Sequence, residues 1–376
     1  MNNVINLTIS GDLVPNGRLL KADDFESLAN IVFAQIDPFL IGNDLNIVNL
    51  ECPLTESNKS IVKTGPLLKA PLSAINLLKN RFNLVTLANN HILDYGIDGL
   101  QDTINMCENH NIEFVGAGVQ CPENIFYFEK NGFKLGIINI CENEFSTVEG
   151  GKVGANGLDL IRNTRLINEA KDKADFLILI FHGGNEYFEY PNPRMVDNCR
   201  FFIEQGVDLI VCHHQHCFSG FEKYCNGMIF YGIGNFLFDN ANKREQEWNY
   251  GYSLKVGIKN DKSFDFEIIP FNQCDKAAII KLLDDTELAN FNLKLTELNN
   301  VIKDTVLLKQ KWLCFVKSKT RLYTDFLVMP YNPFLYSLKN KFKIKIGIGK
   351  MKRLLLKNLI RCESHRDVLL EILKKH

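Results

Sequence analysis

Short apolar, β-branched runs recur along the first two-thirds of the chain. Each gives way to a polar break and then, in most cases, to a stretch with helical spacing. The runs at 4–10, 45–50, 84–87, 114–116, 134–140, 176–181, 208–212 and 228–238 predict strands. Between them, 25–36, 74–81, 97–109, 159–173 and 194–205 predict helices. The last of these carries Met195, Val196, Cys199, Phe202 and Ile203 on one face, and Pro193 suits its start. Pro38 is expected to end the first. Strands alternating with helices imply βαβ units and a sheet between helical layers, an α/β fold class. Two further strands, 252–258 and 264–269, read as an antiparallel pair around a turn at 259–262.

The texture changes near residue 275. Glycine is absent from there until Gly347, helical patterns dominate 281–319, and Pro330, Asn332 and Pro333 interrupt them. The expected organisation is a body over residues 1–275 and a helical extension over 276–376. Charge follows the same division. The 376-residue chain has a formal net charge of −1, which conceals about −13 in residues 1–285 and about +12 in 286–376. Residues 339–361 hold nine basic residues and no acid.

The polar residues at the ends of the predicted strands supply the candidate chemistry. Gly11-Asp12, Asn49-Leu50-Glu51, Asn89-Asn90-His91 with Asp94, His182-Gly183-Gly184-Asn185-Glu186, and His213-His214-Gln215-His216 each follow a strand. In layered α/β proteins loops at strand ends converge on one crevice. Five of the eight histidines fall in these segments, so a packing role for all of them is implausible. Carboxylates, an amide oxygen and imidazoles are suitable ligands for manganese, zinc or iron. One or two ions are compatible with the set.

The stretches GDLVPNGR, NIVNLECPLT, TLANNHILDYGIDGLQDTI, FHGGNEYFEYPNP, GVDLIVCHHQHCFSGFEKY and IFYGIGNFLFD resemble the CapA family of capsule biosynthesis, also called the poly-γ-glutamate synthesis protein family. That resemblance implies a calcineurin-like metallophosphoesterase fold, a four-layer α/β/β/α sandwich. It also implies roles. Asp12, Glu51, Asn90, His182, His214 and His216 would be metal ligands, with Glu51 at the bridging position. His91 would be the proton donor, with Asp94 and Glu186 as further catalytic candidates. Arg18, His213 and Asn235 would be substrate-binding candidates, His213 alternatively a substitute ligand. One departure stands out: Val14 occupies the position at which such phosphoesterases carry a histidine ligand, and Glu51 stands where they carry aspartate.

The implied function is a metal-dependent hydrolase-like protein of capsule or surface-polymer synthesis, with a metal-activated water attacking a phosphoester or amide. The alternative is a non-catalytic assembly factor that binds a polyanionic polymer in the same crevice. The expected partner is a surface-polymer precursor. Nucleic acid is not expected, because the body is acidic. The basic tail has three readings: a helix docked on the body, an amphipathic segment on an anionic membrane, or a nucleic-acid contact. The amino-terminal residues lack the pattern of a secretory signal, and the eleven scattered cysteines suggest reduced thiols. The expected location is therefore cytoplasmic, with a peripheral position at the inner face of the membrane as the alternative.

Overall fold

The computed structural model describes residues 4–147, 152–327 and 349–374. Its frame is two sheets. In the first, β1 (Val4–Val14), β2 (Leu45–Leu50), β3 (Leu84–Thr86) and β4 (Glu113–Val115) run parallel in that order. On the other side of β1 the antiparallel strands β14 (Tyr250–Lys259), β15 (Phe264–Gln273) and β16 (Ile280–Leu282) extend the sheet. The short β13 (Asn235–Phe238) pairs with the end of β1.

In the second sheet, β7 (Phe133–Cys141), β9 (Phe176–His182), β10 (Leu209–His213) and β12 (Gly227–Phe230) are parallel neighbours. Antiparallel edge strands β6 (Ile125–Lys130) and β11 (Phe221–Tyr224) flank them. A two-stranded ribbon, β5 (Ala117–Gly118) with β8 (Gly154–Ala155), sits between.

The period-two alternation of the strands sorts the side chains into layers. Ile5, Leu7, Ile9, Leu45, Ile47, Leu84, Leu254 and Val256 leave one face of the first sheet and pack with the second sheet. Val48, Leu50 and Val85 leave the other face and join α1 (Phe25–Val32) and α3 (Gly96–Asn109). The outer side of the second sheet packs against α4 (Leu160–Lys171) and α5 (Pro193–Glu204), through Leu166, Ile167, Cys199 and Phe202. Covered on both faces, β9 reads FLILIFH and is buried throughout. The result is the expected four-layer α/β/β/α sandwich.

Local chemistry sets the helix ends. Asp159 and Asn192 cap α4 and α5 by accepting backbone N–H groups, each worth about 1 kcal/mol. Pro38 departs from expectation. It lies in the first turn of a second short helix, α2 (Asp37–Leu40), where its missing N–H has no cost, so it begins a helix instead of ending one. The predicted strand 228–238 is two strands, because Gly234 turns the chain at φ 76° from the second sheet into the first.

The carboxy-terminal part forms α6 (Asp285–Lys303), α7 (Thr305–Leu327), α8 (Lys350–Arg361) and α9 (Glu363–Leu373). Leu298, Trp312, Val316, Leu359 and Val368 join the core of the second sheet. The apolar side of α8 therefore faces protein, through Leu355, Leu356 and Leu359, while Met351 and Ile360 are exposed. Residues 339–348 of the basic segment, and Pro330, Asn332 and Pro333, lie outside the described residues. No described helix is long and apolar enough to cross a membrane.

Candidate metal centre

The ends of β1, β2, β9 and β10 come together because the two sheets face each other and their parallel strands end on one side. Close approach of β1 and β13 depends on Gly11: a Cβ there would sit 1.9 Å from the Gly234 carbonyl oxygen. The strands meet with Asp12 level with Asn235 of β13 and Asn49 of β2. Opposite, His213 of β10 is level with His182 of β9. The next residues bend sharply. His214 has φ 96° and His216 φ 57°, left-handed conformations that cost non-glycine residues about 1–3 kcal/mol each. That strain turns both imidazoles inward.

Six candidate ligands converge. Asp12, Glu51, Asn90, His182, His214 and His216 are all buried. Two groups have ligand atoms within 4.8 Å of one another: Glu51 with His182 and His214, and Asp12 with Glu51 and His216. Glu51 is common to both. Its Oε1 lies 3.4 Å from His182 Nε2 and 3.8 Å from His216 Nε2. Asn90 Oδ1 is 3.1 Å from His182 Nε2, which places the amide oxygen in the first group.

The site fits divalent cations for a physical reason. Both Glu51 carboxylate oxygens are buried without a hydrogen-bond partner among the described residues. A buried, unpaired carboxylate is costly, and burial with the neighbouring Asp12 charge pushes the Glu51 pKa well up. A cation shared by the two groups would remove that cost. Burial and the neighbouring His214 push His182 well down, keeping its ring neutral and able to ligate. For Asp12, His213 and His182 overcome the desolvation that would raise its pKa, and the net direction is down.

Supporting contacts fix the ligands. Asn49 donates to Asp12 Oδ1 at 2.7 Å, and its amide nitrogen is 3.2 Å from His182 Nδ1. The His214 N–H donates to Asp12 Oδ2 at 3.2 Å. Asn235 Oδ1 lies 2.9 Å from His216 Nδ1, while its amide donates to the Trp248 carbonyl. Asn235 thus orients the His216 ring, and its amide is engaged by the Trp248 carbonyl.

His213 is buried against Asp12, its Nδ1 3.4 Å from Oδ1, and neither ring nitrogen has a hydrogen-bond partner among the described residues. That placement suits the substitute-ligand reading better than substrate binding. Val14 packs in the apolar cluster with Leu13 and Phe25 and offers nothing to the site. Arg18 is not directed into the cleft. Its guanidinium pairs with Asp239 at 2.8 Å and donates to the carbonyls of Cys274, Asp275 and Lys276. It is a structural clamp, and the expected oxyanion contact is corrected accordingly.

The centre opens into a cleft of about 420 Å³ lined by Lys63, Asn90, His91, Glu144, Glu186, Tyr187, His214, Lys319, Tyr323 and His365, among others. His91 Nδ1 is 2.6 Å from Asp94 Oδ2, which leaves Nε2 free for exchange. Asp94 is fully buried and also accepts from Lys63 Nζ at 2.5 Å and the Leu68 N–H at 2.7 Å. These contacts hold Asp94 against the His91 ring. Burial and the Lys63 charge hold the His91 pKa below its usual range. Glu186 lines the cleft. Sequence reasoning missed Lys63 and Glu144, and every contribution from the carboxy-terminal helices. Asn49 was picked out only as part of its strand-end segment, two residues before Glu51, without a role.

Comparison with known proteins places this arrangement. A capsule biosynthesis protein CapA of Bacillus anthracis is 29% identical over 72% of this chain and 68% of its own length. A PGA biosynthesis protein CapA of Bacillus subtilis is 28% identical over 72% of each. A probable polyglutamine synthesis accessory protein of Mycobacterium tuberculosis is 26% identical over 52% of this chain and 56% of its own. Among solved structures, a hypothetical protein from Thermus thermophilus aligns with 12% identity and a TM-score of 0.44, covering 70% of this chain and 99% of its own. A 5′-nucleotidase from Candida albicans aligns with 12% identity and a TM-score of 0.40, covering 84% and 57%. Residues 6–240 match the family described as bacterial capsule synthesis protein PGA_cap, a span that contains every ligand from Asp12 to His216; the chain belongs to that family.

Proposed function

We propose that the protein is a metal-dependent hydrolase of capsule or surface-polymer synthesis, acting on a phosphoester or an amide of a poly-γ-glutamate-like precursor. The observation that carries this is the buried Glu51 carboxylate, unpaired at the meeting point of two ligand groups. Asp12, Glu51, His216 and, beside them, His213 would hold one divalent ion; Glu51, Asn90, His182 and His214 would hold the other. Manganese, zinc and iron all suit these donors. Such ions, when bound, polarise a phosphoryl or carbonyl oxygen and acidify coordinated water.

The chain's own residues supply the rest. With Nδ1 engaged by Asp94, His91 is left with Nε2 to accept a proton and pass it on, and Asp94 with Lys63 fixes its ring. Lys63 and Lys319 line the cleft and favour a polyanionic substrate. The names of the relatives support the biological setting.

The test is metal analysis of the purified protein with hydrolysis of bis(4-nitrophenyl) phosphate and of poly-γ-glutamate, with manganese or zinc added. Metal-dependent turnover that disappears in Glu51→Gln is expected. A protein that holds no metal, and that neither ion activates, overturns the reading. Val14 favours a second reading, a non-catalytic assembly factor, since it deprives one ion of a ligand. Its signature would be bound metal and retained poly-γ-glutamate without cleavage.

A further inference from the structure

The cleft has a second wall that the family match does not cover. Cys362 is the single residue between α8 and α9, and His365 lies one helical turn further on. Both face Glu144, in the loop that follows β7. Cys362 Sγ is 3.9 Å from Glu144 Oε1, and the ligand atoms of Glu144, Cys362 and His365 all lie within 4.8 Å of one another. Tetrahedral zinc with ordinary bond lengths needs sulfur-to-oxygen and nitrogen-to-oxygen separations of about 3.3–3.6 Å. The three groups therefore need to close by only about an ångström.

Two further observations point to a cation. The Tyr323 hydroxyl lies 2.7 Å from His365 Nδ1, a contact that fixes the ring beside the other two groups. The buried thiol sits among carboxylates, with Glu142 Oε2 at 3.7 Å as well as Glu144. A thiol with an imidazole and a carboxylate is a borderline-soft set, unlike the oxygen and nitrogen donors of the first centre. Glu144 Oε1 is also 3.9 Å from His214 Nε2, so the two places are neighbours.

We propose that Glu144, Cys362 and His365 form a separate zinc site, open to the cleft at its fourth position, that fastens the helix pair α8–α9 over the first metal centre. The site stands independently of any hydrolytic activity. Zinc would bind the thiolate, with the Cys362 proton released to solvent.

Cobalt substitution of the full-length protein tests this, because only a thiolate ligand gives an intense sulfur-to-cobalt charge-transfer band in the near ultraviolet. The expected result is a band in the wild-type protein that persists in Glu51→Gln and disappears in Cys362→Ser and His365→Ala. Zinc content should fall by one equivalent in those last two variants, with unchanged circular dichroism. A wild-type protein without the band, or a band retained in folded Cys362→Ser, overturns the proposal. Equal zinc content in the wild type and folded Cys362→Ser overturns it equally.

Discussion

His91 reaches the cleft with one ring nitrogen already engaged by Asp94, and that asymmetry defines its chemistry. If His91 relays a proton through Nε2 in the reaction, His91→Asn lowers kcat by roughly 10²- to 10⁴-fold. Steady-state kinetics with metal analysis would check this, and metal content should stay at the wild-type level. Arg18 makes a different prediction. Desolvation of Asp239 works against its charge, but hydrogen bonds from Arg18 prevail and hold its pKa below the usual value. A carboxylate shifted down contributes stability above its unfolded pKa, near 4, and loses it as pH falls through the lower folded value. Arg18→Met should therefore cost about 3 kcal/mol at pH 7, and less at pH 3, in urea denaturation. The candidate ligands were legible in the sequence because each lies at or near the end of an apolar run. The Arg18 clamp was not, since Asp239 lies 221 residues away and nothing local announces the pair.

At the scale of elements, the decisive contact is between β1 and β13. Gly11→Ala would drive a methyl group into the Gly234 carbonyl, and backbone cannot yield as a flexible side chain can. Displacement of β13 would carry Asn235 away from His216. A loss of at least about 1–3 kcal/mol in thermal unfolding is expected, with weaker metal retention on dialysis. Most strands were readable as apolar runs, but β5, β6, β8, β11 and β16 were not; β5 and β8 are only two residues long, and β11 and β16 are short edges with little apolar contrast. The β6–β7 hairpin did carry a signal. Asn131 and Gly132 both have positive φ, the conformation that an Asn-Gly turn favours. The break between β12 and β13 was hidden, because apolar periodicity does not say which sheet a strand joins.

At the scale of the molecule, the basic carboxy-terminal part lies against the acidic body through specific polar contacts. Ser364 donates to Glu142 at 2.7 Å, Asn143 donates to Glu363 at 2.9 Å, Arg361 meets the Thr147 carbonyl, and Arg194 pairs with Asp367. A chain ended at residue 348 should keep its two sheets but show faster amide hydrogen exchange in 142–147 and 184–188, which mass spectrometry would detect. Unchanged exchange there would mean that the helix pair does not protect the cleft. The charge division was visible in the sequence; that it folds back on the site was not, because the partners lie 173 to 222 residues apart. The unpaired Glu51 also bears on how the protein matures. With its pKa raised by burial and by Asp12, Glu51 favours keeping a proton at the place where a cation would bind. Loading is then an exchange of proton for ion, easier in alkaline than in acid surroundings. The share of loaded protein would then follow the pH of its surroundings as well as the metal supply.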